Sequence, residues 1–183
     1  GLFAKALPVW LDGSDLILGS EERGRHSSVG MWALDVDTEG ERVFVAGGKH
    51  VSGAAIHSLA NGELVEFLAR TPANRGLPQF GSIRFVPEHE EILLGGWDGG
   101  VWRWPLNEPL PQRMGDHGTG ACHVQALLVD GRLAASFGSD GSMNIWEWQA
   151  GKRVARISAH ASWIHFAALR PESGEVLTGG DDG

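Results

Sequence analysis

The sequence predicts an all-β fold built from repeated four-stranded antiparallel units. Its clearest repeat is an aspartate followed by glycine, which recurs every 42 residues at Asp98, Asp140 and Asp182. Short runs such as "RLAASF", "SMNIWEW" and "KRVARIS" alternate polar and apolar residues, as half-buried strands do. Glycine is abundant, at 27 of 183 residues, and it lies between these runs, where tight hairpin turns need it.

Composition excludes several classes of function. The formal charge of −8 and the absence of a basic run argue against binding to nucleic acid. Cys122 is the only cysteine, so neither an intrachain disulfide nor a multi-cysteine metal site is expected. No apolar run reaches the roughly 18 residues of a membrane helix, and no signal peptide is visible. We therefore expect a cytoplasmic protein that uses no metal, cofactor, membrane or nucleic acid.

Each repeat contains four predicted strands. In the clearest repeat they fall near 122–129, 132–137, 142–148 and 152–158, and "VDGRL", "SDGSM" and "QAGKR" form the turns between them. A tryptophan occupies the third strand of two repeats, as Trp104 and Trp146. A period in the low forties with four antiparallel strands is typical of a β-propeller blade.

The repeats resemble those of the WD40 family. The family's Gly-His position is matched by Asp116-His117 and Ala159-His160, and its Trp-Asp position by Trp146-Glu147 and Trp104-Pro105. On this resemblance the chain divides into blades and partial blades at 1–20 (partial), 26–68, 80–114, 117–158 and 160–183 (partial).

The family's rings most often have seven blades, so we expect about four repeats of a larger ring, with strand edges able to pair with another chain. A closed ring of four blades is the alternative.

The resemblance also implies a hydrogen-bonded set of His, Ser or Thr, Asp and Trp within each blade. In the clearest repeat this set is His117, Ser136, Asp140 and Trp146, and the next repeat supplies His160, Thr178 and Asp182. The repeat before them keeps only Asp98 and Trp104, because Leu94 replaces the hydroxyl residue. An acid that recurs once per repeat is expected to support the fold, whereas a catalytic acid is needed only once per site.

The predicted function is that of a non-catalytic scaffold for protein–protein interaction. The predicted inner strands offer one carboxylate, Asp35, and two equivalent histidines, which is too little for a paired-acid mechanism. Two alternatives stay open: a propeller enzyme or small-ligand binder with its site at the central channel, and a sensor or scaffold segment of a longer multidomain protein.

The expected partner is a protein or peptide that docks on one face. In WD40 proteins partners commonly bind where first strands begin and where the turn before the third strand emerges. Aligning the repeats on that pattern predicts the following binding face: Trp32, Gln79, Trp97, His123, Ser139, Trp163, His165 and Asp181.

Overall fold

The computed structural model describes most of the chain. The described residues are 9–12, 15–18, 33–46, 52–71, 78–118, 125–128, 130–170 and 173–183. Within these ranges the backbone is strand and turn, apart from short 3-10 helices at Pro87–His89 and Trp148–Ala150. The prediction of an all-β fold is confirmed.

Three four-stranded antiparallel sheets follow one another along the chain. Sheet 1 comprises β3 Ala33–Asp37, β4 Arg42–Ala46, β5 Ser52–Ser58 and β6 Leu64–Thr71. Sheet 2 comprises β7 Phe80–Val86, β8 Glu91–Gly96, β9 Gly100–Pro105 and β10 Gln112–Asp116. Sheet 3 comprises β11 Gln125–Leu128, β12 Leu133–Phe137, β13 Ser142–Glu147 and β14 Lys152–Ser158.

Two-stranded hairpins precede and follow these sheets. The N-terminal hairpin pairs β1 Val9–Asp12 with β2 Asp15–Leu18, and the C-terminal hairpin pairs β15 Ile164–Arg170 with β16 Glu175–Gly180. In every sheet the spatial order of the strands is their order in the chain, because each strand pairs with the next through a hairpin.

The sheets stack face to face through their first strands. Strands β3, β7, β11 and β15 lie against one another in that order. Phe44 and Ile56 of sheet 1 pack against Phe85 and Trp104 of sheet 2, and the rings of Phe44 and Phe85 stack at 4.4 Å between centroids. Because side chains alternate across a strand, each sheet sends one set of apolar residues to each neighbour.

The interface between sheets 2 and 3 is built around Trp146. This side chain is 2% exposed and packs with Val86, Leu93 and Val101 of sheet 2. It also lies directly against Gly115, where any side chain would meet the indole ring. Burial of an aromatic residue of this size makes Trp146 a main contributor to the packing of the two sheets.

The turn before β13 also needs glycine. Gly141 has a φ of 67°, and a β-carbon there would collide with the carbonyl oxygen of His160. Its own carbonyl accepts the amides of Ala159 and His160, at 3.1 and 3.0 Å. The carbonyl of Gly99 accepts the amide of His117 in the same way, so the Asp-Gly pair anchors the connections that lead out of sheets 2 and 3.

Candidate functional site

A polar network connects His117 to sheet 3. The imidazole Nε2 of His117 lies 2.8 Å from Ser136 Oγ, and its Nδ1 lies 3.0 Å from Asp140 Oδ1. The indole N–H of Trp146 donates to the same Ser136 oxygen at 2.8 Å. The structure thus brings together the four residues of the clearest repeat.

The order Ser136–His117–Asp140 has the bonding pattern of a hydrolytic triad, but it is closed to substrate. Ser136 is 0% exposed and His117 is 2% exposed. The serine oxygen already bonds both the imidazole and the indole. A nucleophile must reach its substrate, so these contacts are suited to holding the fold rather than to acyl transfer.

The network crosses a sheet boundary. His117 directly follows β10 of sheet 2, and its amide donates to Gly99 of that sheet at 3.1 Å. Its side chain bonds Ser136 and Asp140, which both belong to sheet 3. Arg156 of β14 adds bonds to the His117 carbonyl at 3.3 Å and to Asp140 at 3.0 Å. His117 therefore ties two consecutive sheets together.

The environment fixes the charges of this pair. Burial lowers the pKa of His117, and the nearby Asp140 carboxylate offsets this only in part. Burial also opposes ionisation of Asp140, but hydrogen bonds from Ser142 and the proximity of His117 hold the pKa of this carboxyl below its usual range. A neutral imidazole that donates from Nδ1 to Asp140 and accepts at Nε2 from Ser136 gives both ring nitrogens of His117 a hydrogen-bond partner.

A second network connects sheet 3 to the C-terminal hairpin. The amide of His160 donates to Gly141 of sheet 3 at 3.0 Å, while its imidazole lies 2.9 Å from Thr178 Oγ1 and 2.5 Å from Asp182 Oδ1. The amide of Ala161 donates to Asp182 at 2.7 Å, and this bond together with His160 lowers the pKa of Asp182. The arrangement repeats that of His117 one blade further on.

Sheet 2 replaces the network with apolar contacts. Trp104 donates to the Glu108 carbonyl at 2.9 Å rather than to a hydroxyl, because Leu94 stands where Ser136 stands in sheet 3. Asp98 accepts the Gly100 amide at 2.9 Å and lies 3.6 Å from Arg113. Asp98 and Trp104, the members of the set that the sequence predicted for this sheet, therefore bond to separate partners.

Trp102 fills the space that the missing polar groups leave in sheet 2. It stands 42 residues before Asn144 of sheet 3, and its ring contacts Phe80 edge-on at 6.1 Å. Sequence reasoning did not identify this substitution, although the pairing of Leu94 with Trp102 across β8 and β9 was a possible signal.

The predicted binding face lies partly outside the described residues. Trp32 and His123 lie outside the described residues. Gln79, Trp97 and Ser139 are half-buried, whereas Trp163, His165 and Asp181 are exposed. The described members lie at the same end of their strands, where the turns into the third strands emerge.

A β-bulge shapes this end of two first strands. The register shifts between Phe80 and Ser82 in sheet 2, and between Ile164 and Phe166 in the C-terminal hairpin, so that Gly81 and His165 are the extra residues. A bulge re-aims the side chain it carries. His165 Nε2 reaches Asp181 Oδ1 at 2.6 Å, and in sheet 2 the Trp97 indole lies against Gly81.

The carboxylate predicted on the inner strands takes part in sheet packing. Asp35 of β3 accepts the amide of Phe85 in sheet 2 at 2.7 Å and lies 3.3 Å from the Arg84 guanidinium. Its bonds therefore join sheets 1 and 2 and occupy both carboxylate oxygens.

Arg42 forms another link between sheets 1 and 2. It bonds Asp37 of its own sheet and both carboxylate oxygens of Glu90, at 2.7 and 2.9 Å. Its guanidinium lies 4.9 Å from the centroid of the Phe85 ring. Hydrogen bonding to Arg42 is the main cause of the lowered pKa of Glu90. No sequence pattern predicts this link, because Arg42 and Glu90 are 48 residues apart and neither belongs to the repeat pattern.

The described residues contain neither a candidate metal site nor a candidate membrane-spanning helix. In the part of the chain that the structure describes, no group of three or more His, Cys, Asp or Glu residues is placed to hold a metal ion. Across the same residues, no helix has the length and apolar character needed to cross a bilayer.

Two solved structures of computationally designed proteins share the fold. The Ika4 protein superposes with a TM-score of 0.65 at 16% identity, over 87% of this chain and 90% of that chain. The Ika8 protein superposes with a TM-score of 0.63 at 16% identity, over 85% of this chain and 44% of that chain. Both are propellers, and at this identity the likeness concerns the fold alone.

Curated proteins of similar sequence indicate which class of repeat this chain resembles. The chain is 34% identical over 92 residues to small ribosomal subunit protein RACK1y of Oryza sativa subsp. japonica, and 23% identical over 103 residues to protein groucho of Drosophila melanogaster. It is 28% identical over 102 residues to telomerase protein component 1 of Rattus norvegicus. These relatives are WD40-repeat proteins. The chain is a β-propeller whose repeats resemble those of WD40 proteins.

The shared region is a limited part of each relative. It covers 49–55% of this chain, and it covers 27% of RACK1y, 14% of groucho and 4% of telomerase protein component 1. No protein-family model matches the chain. The replacement of the polar network in sheet 2 is a departure from the WD40 pattern within the described blades.

Proposed function

We propose that this WD40-like propeller is a non-catalytic scaffold that binds a protein or peptide at the edge carrying Gln79, Trp97, Ser139, Trp163, His165 and Asp181. We call this surface the turn edge. One observation carries the proposal. The polar side chains that resemble catalytic groups are buried in links between sheets, whereas Trp163, His165 and Asp181 are exposed together at this edge.

The exposure of these side chains favours a contact surface. Trp163 is 39% exposed, and the side chains of His165 and Asp181 are 50% and 56% exposed. The edge is continuous between sheet 3 and the C-terminal hairpin, because the Ile164 amide donates to Gly138, which directly precedes Ser139. Exposed aromatic residues on a rigid frame are typical of interface hot spots.

Trp97 has a different role at the same edge. Its indole is half-buried against Gly81, and its amide donates to the Gln79 carbonyl at 2.8 Å. We therefore propose that Trp97 supports the edge while Trp163 offers more of its surface to a partner. Removal of Trp97 is expected to lower stability as well as binding.

The WD40 relatives support a scaffold at the level of class, since WD40 proteins typically act in protein interactions. They do not identify a partner. We therefore propose a binding surface, the turn edge, and a class of partner, a protein or peptide.

Site-specific photo-crosslinking tests the proposal. A benzoylphenylalanine at Ser139 samples the turn edge, and the same residue at the exposed Glu88 samples the opposite edge. A defined set of proteins from the source cells is expected to cross-link through position 139. This cross-linking is expected to be lost when the Trp163→Ala substitution is introduced into the same chain. Equal cross-linking from position 88, or full retention in the Trp163→Ala variant, would contradict the proposal.

A further inference from the structure

Trp163, His165 and Asp181 form one exposed cluster at the end of the C-terminal hairpin. Asp181 stands opposite Trp163, since its amide donates to the Trp163 carbonyl at 3.1 Å. The bulge at His165 directs the imidazole to the Asp181 carboxylate at 2.6 Å, and the rings of His165 and Trp163 lie 5.9 Å apart. The indole of Trp163 and the carboxylate of Asp181 therefore both lie next to the His165 imidazole at the surface.

This pair of groups suits a planar cation. A guanidinium can lie on an indole face while its N–H groups bond a carboxylate, and it loses little hydration on doing so. A neutral side chain lacks the charge attraction to both groups, and an anionic side chain is repelled by the carboxylate. Asp181 keeps 56% of its side chain exposed while it is bonded to His165, so its charge is open to an incoming donor.

Sheet 2 already contains the same arrangement with its cation in place. The Arg113 guanidinium lies 5.5 Å from the centroid of the Trp102 ring and 3.6 Å from both Asp98 and Asp116. This chain therefore holds an arginine near an indole and two aspartates at the same end of sheet 2, which is separated from the C-terminal hairpin by sheet 3.

The charge of the turn edge agrees with a cationic ligand. Its described aspartates are Asp98, Asp116, Asp140, Asp181 and Asp182. The two arginines near them, Arg113 and Arg156, pair with Asp98 and Asp140, whereas Asp181 pairs with the imidazole of His165. Asp182 likewise pairs with the imidazole of His160, but its side chain is 29% exposed, whereas that of Asp181 is 56% exposed.

We propose that the Trp163–His165–Asp181 cluster binds an arginine side chain of the partner. This inference rests on the proposed function and specifies the chemistry that the partner presents to the turn edge. The guanidinium lies on the indole of Trp163 and donates to the carboxylate of Asp181.

The test is a titration of the whole chain, followed by NMR, with the peptide acetyl-Gly-Arg-Gly-amide and with its citrulline counterpart. Citrulline keeps the shape of arginine and removes its charge. The arginine peptide is expected to shift the indole signal of Trp163 and the ring signals of His165, and the citrulline peptide to bind at least about fivefold more weakly. Asp181→Asn is expected to weaken arginine binding about fivefold, whereas Glu88→Gln, which removes the same charge from the opposite edge, is expected to change it less than twofold.

The inference would be overturned if both peptides gave equal changes in the NMR signals, or if the indole signal of Trp163 did not move. It would also be overturned if Asp181→Asn and Glu88→Gln weakened arginine binding equally. The proposed function has a separate readout, because cross-linking through position 139 does not depend on arginine. Cross-linking that survives while the peptide fails would refute the arginine site alone, and loss of cross-linking at the turn edge would refute the scaffold proposal.

Discussion

His117 Nδ1 lies 3.0 Å from Asp140 Oδ1, although the two residues belong to consecutive sheets. The backbone of His117 is held by Gly99 in sheet 2, and its side chain is held by sheet 3. His160 repeats this geometry between sheet 3 and the C-terminal hairpin. The histidines that follow the fourth strands therefore act as links between blades, and the first predictions concern them.

Replacement of the buried serine is expected to destabilise the fold. Ser136→Ala leaves the His117 imidazole and the Trp146 indole without their common partner in a site closed to water, which should cost about 1–3 kcal/mol. Thr178→Ala removes the equivalent hydroxyl at a half-buried site, where water can replace it, and should cost less. Urea unfolding of both variants checks this, and equal losses would contradict it.

The buried imidazole makes stability depend on pH. Because burial lowers the pKa of His117 below the ordinary value of 6.5, the unfolded chain binds a proton that the native chain does not. Stability should therefore fall as pH drops below about 6.5, by at most about 1.4 kcal/mol per pH unit from this group. The lowered pKa of Asp140 acts in a separate window, since its contribution is lost only as pH falls below about 3.8. The free energy of unfolding, measured with urea between pH 5 and 7.5, should depend less steeply on pH in His117→Gln than in the wild-type chain. An unchanged pH dependence would count against the buried neutral imidazole.

The two glutamates in left-handed backbone allow a matched comparison. Glu41 and Glu90 have φ values of 52° and 49°, a region that favours glycine. Glu41→Gly should raise stability by up to about 1 kcal/mol through release of this strain. Glu90→Gly should give no gain, because it also removes the carboxylate that Arg42 binds across the sheet boundary. Similar gains for both variants in thermal unfolding would show that this ion pair contributes nothing.

The turn glycine at 141 is expected to be irreplaceable. Gly141→Ala combines left-handed backbone with a collision against the His160 carbonyl, and should cost more than about 3 kcal/mol. Gly118→Ala shares the positive φ, at 97°, but has open space around it, and should cost only about 1 kcal/mol. If chemical denaturation gave the same loss for both, the close approach at Gly141 would not matter for stability.

The sequence predicted the architecture well because the repeat is encoded locally. The Asp-Gly turns hold positions that few other residues can occupy, so the 42-residue period is preserved even where other residues change. The strands of sheet 3 begin and end within three residues of their predicted bounds, and the third ends early because Trp148 starts a 3-10 helix.

Contacts between sheets were harder to predict. Arg42 and Glu90, or Asp35 and the Phe85 amide, meet only because two sheets stack, and no local pattern marks such pairs. The two β-bulges could not be predicted, because one carries Gly81 and the other His165, and these positions share no sequence pattern. Trp97 was predicted as an exposed contact residue, yet Gly81 opposite it leaves room for the indole to lie back against its own sheet.

The buried network maintains the fold, and we propose that the turn edge binds the partner. Measuring the stability and the partner affinity of Ser136→Ala and Trp163→Ala, at a temperature where both are folded, separates these two roles. Ser136→Ala is expected to lose stability and keep the affinity of the wild-type chain, whereas Trp163→Ala is expected to keep its stability to within about 1 kcal/mol and to lose at least about tenfold in affinity. Loss of affinity in folded Ser136→Ala, with Trp163→Ala binding normally, would contradict this proposal.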